Sequence, residues 1–425
     1  MDQITPISNP ITQPPSENTS SSRPIFTQGA NGVRLPSLTS LSSGGGQSIE
    51  DFAEVLAKTQ KSVGAGVPAG KAPVNMWRSL NFLKTYAVSP SPWPWTQNTL
   101  SQINSTPQIE APKVQSVDSS ASILSTAPKL SLADYPHPIG DNGRGIHWIP
   151  TVSQTPEVVD RFVDEAVSMG MKWVVFLNEG SNVGANDYLV KRLAEAGIEP
   201  VMRVYTPGLT PISGGLEEMV RHYSKMGVHY FQLYNEPNLM VETGGQFPSV
   251  DKYLDLWIPA AQEVIKAGGL PGFGALSPQG EMDDRDFLRQ ALNSLEARGQ
   301  SHLLGRSWLA MHNYTGPRPL NDPDGFMRFR QYDAIIRASL GHSLPIVGTE
   351  GGTHITEHVS EQKQVEMVTG AYKYMGQREP YNFAYTYWIL ANGHDAAWDA
   401  HALIRPDGPT ALAQALKKMN SGEMI

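Results

Sequence analysis

Cysteine is absent from the 425-residue sequence, which excludes disulfide bonds, catalysis by a thiolate and metal sites built on cysteine. Long apolar runs are missing as well, because no stretch reaches the ~18 residues that indicate a membrane span. Basic clusters are also missing. The formal net charge is −8, and the acidic excess lies in residues 131–425. This charge argues against a nucleic-acid partner and suits a neutral substrate.

The sequence begins MDQITPISNPITQPP, which has neither a basic n-region nor an apolar h-region. We therefore expect no ordinary secretory signal peptide. The location of the protein stays open, and export by a different route or carriage on a particle is compatible with this sequence.

The first third of the sequence is predicted to be separate from the main domain. Residues 1–47 are rich in serine, threonine, proline and glycine, a composition typical of a disordered tail. Residues 48–88 contain two short stretches with helical spacing, and residues 89–135 form a proline- and serine-rich linker. Two interpretations stay open: the short helices pack on the main domain, or they fold when a docking or export partner binds.

Residues 136–425 alternate short apolar runs with amphipathic helical stretches. Eight such pairs predict a (β/α)₈ TIM barrel. A doubly wound sheet competes, but it usually carries a glycine-rich phosphate loop after its first strand, and TVSQTPE has no glycine. The predicted strands are 144–150, 171–177, 198–205, 228–234, 270–277, 307–314, 344–350 and 381–390, and the predicted helices are 156–169, 186–196, 216–226, 250–267, 283–297, 322–340, 358–376 and 409–419.

Polar and aromatic residues recur where the predicted strands end. In YFQLYNEPNLM, Pro237 cannot extend the sheet hydrogen bonds, so Glu236 is expected at the tip of the fourth strand. Glu350 ends the seventh strand in the same way. The C-terminal ends of barrel strands converge on one pocket. The other residues expected there are His147, Trp148, Arg203, Tyr205, Asn235, His312, Tyr314 and Trp388.

Two glutamates in one pocket with a tryptophan indicate chemistry on a sugar. One protonated carboxyl group can donate to a leaving oxygen, while an ionised one attacks the anomeric carbon. The face of Trp388 offers an apolar surface for the C–H groups of a sugar ring.

The Asn-Glu-Pro motif on strand 4, Glu350 on strand 7 and Trp388 on strand 8 resemble the clan A retaining glycoside hydrolases, the cellulase-like (β/α)₈ enzymes, over residues 140–420. The resemblance implies double displacement on a β-linked oligo- or polysaccharide through a covalent glycosyl-enzyme intermediate, without a cofactor or metal. It makes Glu236 the acid/base and Glu350 the nucleophile.

The same resemblance implies roles for neighbouring residues. Asn235 would bind the sugar 2-hydroxyl, Tyr314 would hold the nucleophile, His312 would face the substrate, and Trp388 would be the platform under the sugar. Arg203 stands on strand 3, whereas cellulase-type members often carry this arginine on strand 2. The particular family, the sugar and endo or exo action therefore stay open.

Four other interpretations remain. Glu179, at the tip of strand 2, is a rival acid, and the barrel could bind carbohydrate without catalysis. HITEH matches an inverted zinc-hydrolase motif, which requires His354 and His358 on one helix beside Glu357. GHDAAWDAH could bind an ion or form a loop that faces the substrate; its polar side chains are His394, Asp395, Asp399 and His401.

Overall fold

The computed structural model describes residues 129–392 and 398–423. Within them, eight parallel strands pair in chain order and close into a barrel, since β1 pairs with both β2 and β8. Each strand is followed by a helix. The predicted (β/α)₈ fold is confirmed. The predicted tail, the short helical segment and residues 89–128 of the linker lie outside the described residues.

The barrel strands are β1 (Arg144–His147), β2 (Trp173–Glu179), β3 (Glu199–Tyr205), β4 (Tyr230–Leu233), β5 (Leu270–Leu276), β6 (Trp308–Tyr314), β7 (Ile346–Gly352) and β8 (Asn382–Tyr387), and a small hairpin adds β9 (Ile404–Arg405) and β10 (Gly408–Pro409). The helices are α1 (Pro156–Ser168), α2 (Asp187–Glu195), α3 (Leu216–Lys225), α4 (Val250–Lys266), α5 (Asp284–Ala297), α6 (Arg328–Leu340), α7 (Glu361–Met375) and α8 (Ala411–Ser421).

Two helices begin three or more residues later than the sequence pattern predicts. The helix predicted from residue 322 begins at Arg328, because Pro323 and Gly325 are poor helix residues and the chain makes successive turns there. The helix predicted from residue 358 begins at Glu361. Ser360 caps it, and its side chain accepts a hydrogen bond from the Lys363 amide.

The glycines before β2, β3, β4 and β5 end the preceding helices. Gly170, Gly197, Gly227 and Gly268 have φ of 73°, 66°, 106° and 92°. Glycine takes this left-handed conformation at little cost, so each helix stops and the chain returns to the sheet.

Large aromatic side chains fill the N-terminal end of the barrel interior. Trp173, Tyr230 and Trp308 are the first residues of β2, β4 and β6, and Phe383 is the second of β8. Tyr135, from the segment before β1, packs with them and donates a hydrogen bond to the Ser307 carbonyl at 2.8 Å. This end is closed, so a ligand has access from the C-terminal ends of the strands.

No helix within the described ranges has both the length and the apolar character needed to cross a bilayer.

We predict that Tyr135 contributes to stability mainly through packing. Tyr135→Phe removes the hydrogen bond to Ser307 and should cost about 1 kcal/mol of unfolding free energy. Tyr135→Ala also leaves a cavity beneath Phe383 and should cost about 3–5 kcal/mol. Urea denaturation measures both changes. Equal stability of the alanine variant and the wild type would show that this segment does not belong to the barrel core.

Candidate active site

An unusual turn follows β4 and carries the first glutamate. β4 ends at Leu233, and then Tyr234 and Glu236 adopt positive φ values of 63° and 37°. Such values are uncommon for residues other than glycine and are found at functional sites. The Glu236 amide donates to the carbonyl of Ala275, in β5, at 3.1 Å. The neighbouring strand thus supports the turn.

Asn238 fixes the same turn to the loop after β5. Its Nδ2 donates to the Ser277 carbonyl at 2.8 Å, and its Oδ1 accepts from the Ser277 amide at 2.9 Å. This pair of bonds holds the two loops in register, because both polar ends of the amide are satisfied by one residue. No sequence pattern indicates this role of Asn238.

Glu236, His312 and Glu350 meet at the C-terminal end of the barrel. His312 Nδ1 lies 2.8 Å from Glu236 Oε1 and 3.7 Å from Glu350 Oε2. One carboxylate oxygen of each glutamate and the imidazole nitrogen all lie within 4.8 Å of one another. All three residues are buried. The barrel therefore brings together two carboxyl groups that are 114 residues apart in sequence.

The Glu350 carboxylate is held at both oxygens. Arg203 Nη1 donates to Oε1 at 3.0 Å, and the Tyr314 hydroxyl donates to Oε2 at 2.7 Å. The Arg203 and Glu350 side chains are each only 5 % exposed. Two donors, one of them cationic, favour an ionised and fixed carboxylate.

His147 and Trp388 form another part of this site, with ring centroids 4.3 Å apart. His147 is fully buried, and its Nδ1 lies 3.0 Å from the Trp148 carbonyl, which can only accept. Nδ1 therefore carries the proton, and Nε2 is an acceptor without a hydrogen-bond partner in the described structure. Burial lowers the pKa of His147 to about 4, so the ring is neutral at neutral pH.

Glu242 is a third carboxyl group near these residues that the sequence analysis missed. Its Oε1 accepts a hydrogen bond from Asn235 Nδ2 at 2.9 Å. Burial raises the pKa of Glu242 to about 7; the charge of Arg203 opposes this shift, and the charge of Glu236 adds to it. Glu242 lies in the loop after β4, where no sequence periodicity indicates the direction of a side chain.

The remaining candidate residues, Tyr205, Trp148 and Glu179, lie in three different environments. Tyr205 ends β3 two residues after Arg203, and so lies on the same face of that strand. Trp148 is not brought to the site: it lies between the sheet and the helices, edge-on to Phe162, because successive residues of a strand face opposite sides. Glu179 is exposed at the end of β2.

The zinc motif lacks the geometry that it requires. Residues 354–358 form a loop and a turn before α7, so His354 and His358 do not share a helix face. His354 is buried, and its Nε2 contacts the Trp388 carbonyl at 2.6 Å, whereas His358 and Glu357 are exposed. A zinc hydrolase built on this motif is therefore contradicted.

The structure describes only part of GHDAAWDAH. His394 and Asp395 lie outside the described residues. Asp399 accepts a hydrogen bond from Asn392 at 2.8 Å, and the His401 ring packs against His354 with centroids 4.4 Å apart. The described members of this motif therefore form a polar and aromatic loop beside Trp388.

Glu236, His312 and Glu350 also have the donor types that bind a metal ion. However, Arg203 and Tyr314 already use both oxygens of Glu350. A guanidinium in contact with a carboxylate opposes the binding of a second cation there, so these contacts favour a hydrogen-bonded cluster over a metal site.

Comparison with known proteins gives similarity only among solved structures; no family model and no curated protein matches. Similar structures include a monomeric β-xylosidase from Caulobacter crescentus CB15 (17 % identity, 67 % of this chain and 69 % of that chain, TM-score 0.49). Another is an endo-β-1,3-glucanase from Pseudomonas viridiflava (18 % identity, 65 % of this chain and 97 % of that chain, TM-score 0.46). A third is an endo-1,4-β-mannanase from Rhizomucor miehei (14 % identity, 68 % of this chain and 98 % of that chain, TM-score 0.43). Identities this low carry no information about a substrate.

We predict that His147 makes stability depend on pH. Its pKa is about 4 in the folded protein and about 6.5 in an unfolded chain. Between these values the unfolded chain binds more protons, so stability falls as pH decreases from about 6.5 to 4, by about 3 kcal/mol in all. Urea denaturation at several pH values should show a smaller loss for His147→Gln than for the wild type.

A matched control is His302→Gln, which changes an exposed histidine in the segment before β6, whereas His312 lies near the other end of that strand. It should keep the full pH-dependent loss. The prediction about His147 is contradicted if both variants follow the wild-type curve.

Proposed function

We propose that this protein is a retaining glycoside hydrolase that acts on a β-linked oligo- or polysaccharide by double displacement. The observation that carries the proposal is the pair of buried carboxyl groups of Glu236 and Glu350, which have an oxygen each within 4.8 Å. Retaining enzymes place their two carboxyl groups about 5–5.5 Å apart, and inverting enzymes roughly 6.5–9.5 Å apart to admit water between them.

Glu350 is the proposed nucleophile. A nucleophilic carboxylate must be ionised and must not rotate away from the anomeric carbon. Arg203 and Tyr314 support both requirements, because each donates to a different oxygen of Glu350. Attack forms a glycosyl ester with Glu350 while the bond to the leaving oxygen breaks.

Glu236 is the proposed acid/base. It gives its proton to the leaving oxygen in the first step and removes a proton from water in the second, so it ends in its initial state. The contact with His312 Nδ1 fixes the Glu236 carboxyl group. The turn at Tyr234 and Glu236 is the kind of strained backbone that occurs where a reacting side chain must be aimed.

Trp388, His147 and Asn235 are the proposed substrate contacts. The Trp388 ring supplies an apolar face, and the His147 Nε2 supplies an acceptor for a sugar hydroxyl. A barrel that binds carbohydrate without catalysis is the competing function. A barrel that only binds carbohydrate does not need two carboxyl groups buried close together. Because the desolvation of such groups is costly, their presence favours an enzyme.

Glu350→Ala should abolish turnover of an aryl β-glycoside. Azide should restore part of the rate, because a small anion can occupy the space of the lost carboxylate and attack in its place. The product would then be an α-glycosyl azide, which NMR spectroscopy identifies. Turnover of the alanine variant at the wild-type rate would contradict the nucleophile assignment.

Glu236→Ala should lose roughly 100-fold or more on a natural sugar linkage, since general acid catalysis contributes about that much. Its first step should be nearly normal with a dinitrophenyl leaving group, which needs no proton. The control is Glu179→Ala, which removes an exposed glutamate at the end of β2. Equal losses on both substrates, or a matching loss in the control, would contradict the role of Glu236.

The proposal as a whole is tested with purified protein on a panel of aryl β-glycosides and polysaccharides, with and without a chelator. Proton NMR of the first product should show retention at the anomeric carbon, and the chelator should have no effect. Binding without turnover would favour the non-catalytic barrel, and inversion would contradict double displacement.

A further inference from the structure

The loop between β4 and α4 places Glu242 against Asn235 with little freedom. The Glu242 carbonyl accepts from the Leu209 amide at 2.7 Å, and its amide donates to the Leu239 carbonyl at 3.2 Å. Gly208 lies so close that a side chain there would come within 2.6 Å of the Glu242 carbonyl oxygen. Residues 208–209 and the loop itself therefore fix the Glu242 backbone, and its carboxyl group accepts from Asn235 at 2.9 Å.

Only one end of the Asn235 side-chain amide makes a hydrogen bond in the described structure. Nδ2 donates to Glu242, while Oδ1 is buried and has no hydrogen-bond partner in the described structure. A buried oxygen without a donor costs free energy, which a hydroxyl group of a ligand can recover. Asn235 directly precedes Glu236, and the charges of Glu236 and Glu350 act on its partner Glu242, so the Asn235 amide belongs to the same part of the site.

We propose that Glu242 is a positioning residue, which orients the Asn235 amide so that Oδ1 receives the substrate hydroxyl next to the reacting carbon. The proposal rests on the proposed function. An ionised carboxylate only accepts hydrogen bonds, so it binds Nδ2 and excludes the flipped amide. A protonated carboxyl group can also donate, and it then permits both orientations of Asn235.

Three charged groups act on Glu242. Arg203 comes from β3, Glu236 from the turn after β4, and Glu350 from β7. Since Arg203 also pairs with Glu350, the cation is shared between two carboxylates. Burial raises the pKa of Glu242 to about 7; the charge of Arg203 opposes this shift, and the charges of Glu236 and Glu350 add to it. The orientation of Asn235 should therefore become fixed as pH rises through about 7.

The test compares an aryl β-glycoside with its 2-deoxy analogue. The quantity measured is the kcat/KM of the glycoside divided by the kcat/KM of the 2-deoxy analogue. This ratio cancels effects on the reacting groups that both substrates share. In the wild type the ratio should rise with pH through about 7. In Glu242→Gln it should be lower by about tenfold at high pH and independent of pH, because glutamine can present either end of its amide to Asn235.

Additional variants separate positioning from a general structural role. Glu242→Asp keeps the charge but is one methylene shorter, and should also lower the ratio. Combining Glu242→Gln with Asn235→Ala should lower it no further than Asn235→Ala alone, since both changes remove one interaction. The matched control is Glu281→Gln, an exposed glutamate that accepts from the Met240 amide of the same loop at 2.8 Å. It should keep the wild-type ratio and pH profile.

An NMR measurement keeps the test independent of activity. The Asn235 side-chain amide signal, assigned by its loss in Asn235→Ala, should shift with pH near 7 in the wild type and not in Glu242→Gln. If no glycoside is turned over but this signal behaves as expected, the proposed function fails while the positioning contact stands. The positioning proposal is overturned if the signal is the same in both proteins, or if Glu242→Gln reduces both substrates equally.

Discussion

A buried carboxylate at the end of β7 is the constraint on which the arrangement of the site depends. Removing Glu350 from water is costly unless a cation and further donors replace its hydration. Arg203 of β3 and Tyr314 of β6 supply these contacts. The closed barrel brings these strands together at its C-terminal end, so the fold supplies the partners that this charge needs. Glu236, in the turn after β4, is then held by His312, which lies on the same strand as Tyr314.

The two ends of the barrel interior contain different kinds of side chain. Its N-terminal end is filled by aromatic rings, and its C-terminal end holds glutamates, histidines and one arginine in contact. The apolar half supplies the packing that offsets the cost of burying the polar half. The same eight strands carry both halves.

Much of the fold could be predicted from the sequence, because glycines such as Gly170 and Gly227 end helices by a local backbone preference. The meeting of Glu236 and Glu350 followed from their places at strand ends. Trp148 was misplaced because His147 and Trp148 are adjacent, and adjacent residues of a strand cannot both face the interior. Glu242 and Asn238 could not be found, since their directions depend on the path of a loop that tertiary contacts determine.

The aromatic rings at the N-terminal end of the barrel have a consequence for the order of events at the site. In the described residues the rings of Trp173, Tyr230 and Trp308 close that end, so one opening serves both arrival and departure. If the reaction proceeds by double displacement, the departing sugar or alcohol must clear the entrance before water can reach the ester. Crowding of that entrance by a second sugar would then decide whether the glycosyl group passes to water or to another hydroxyl.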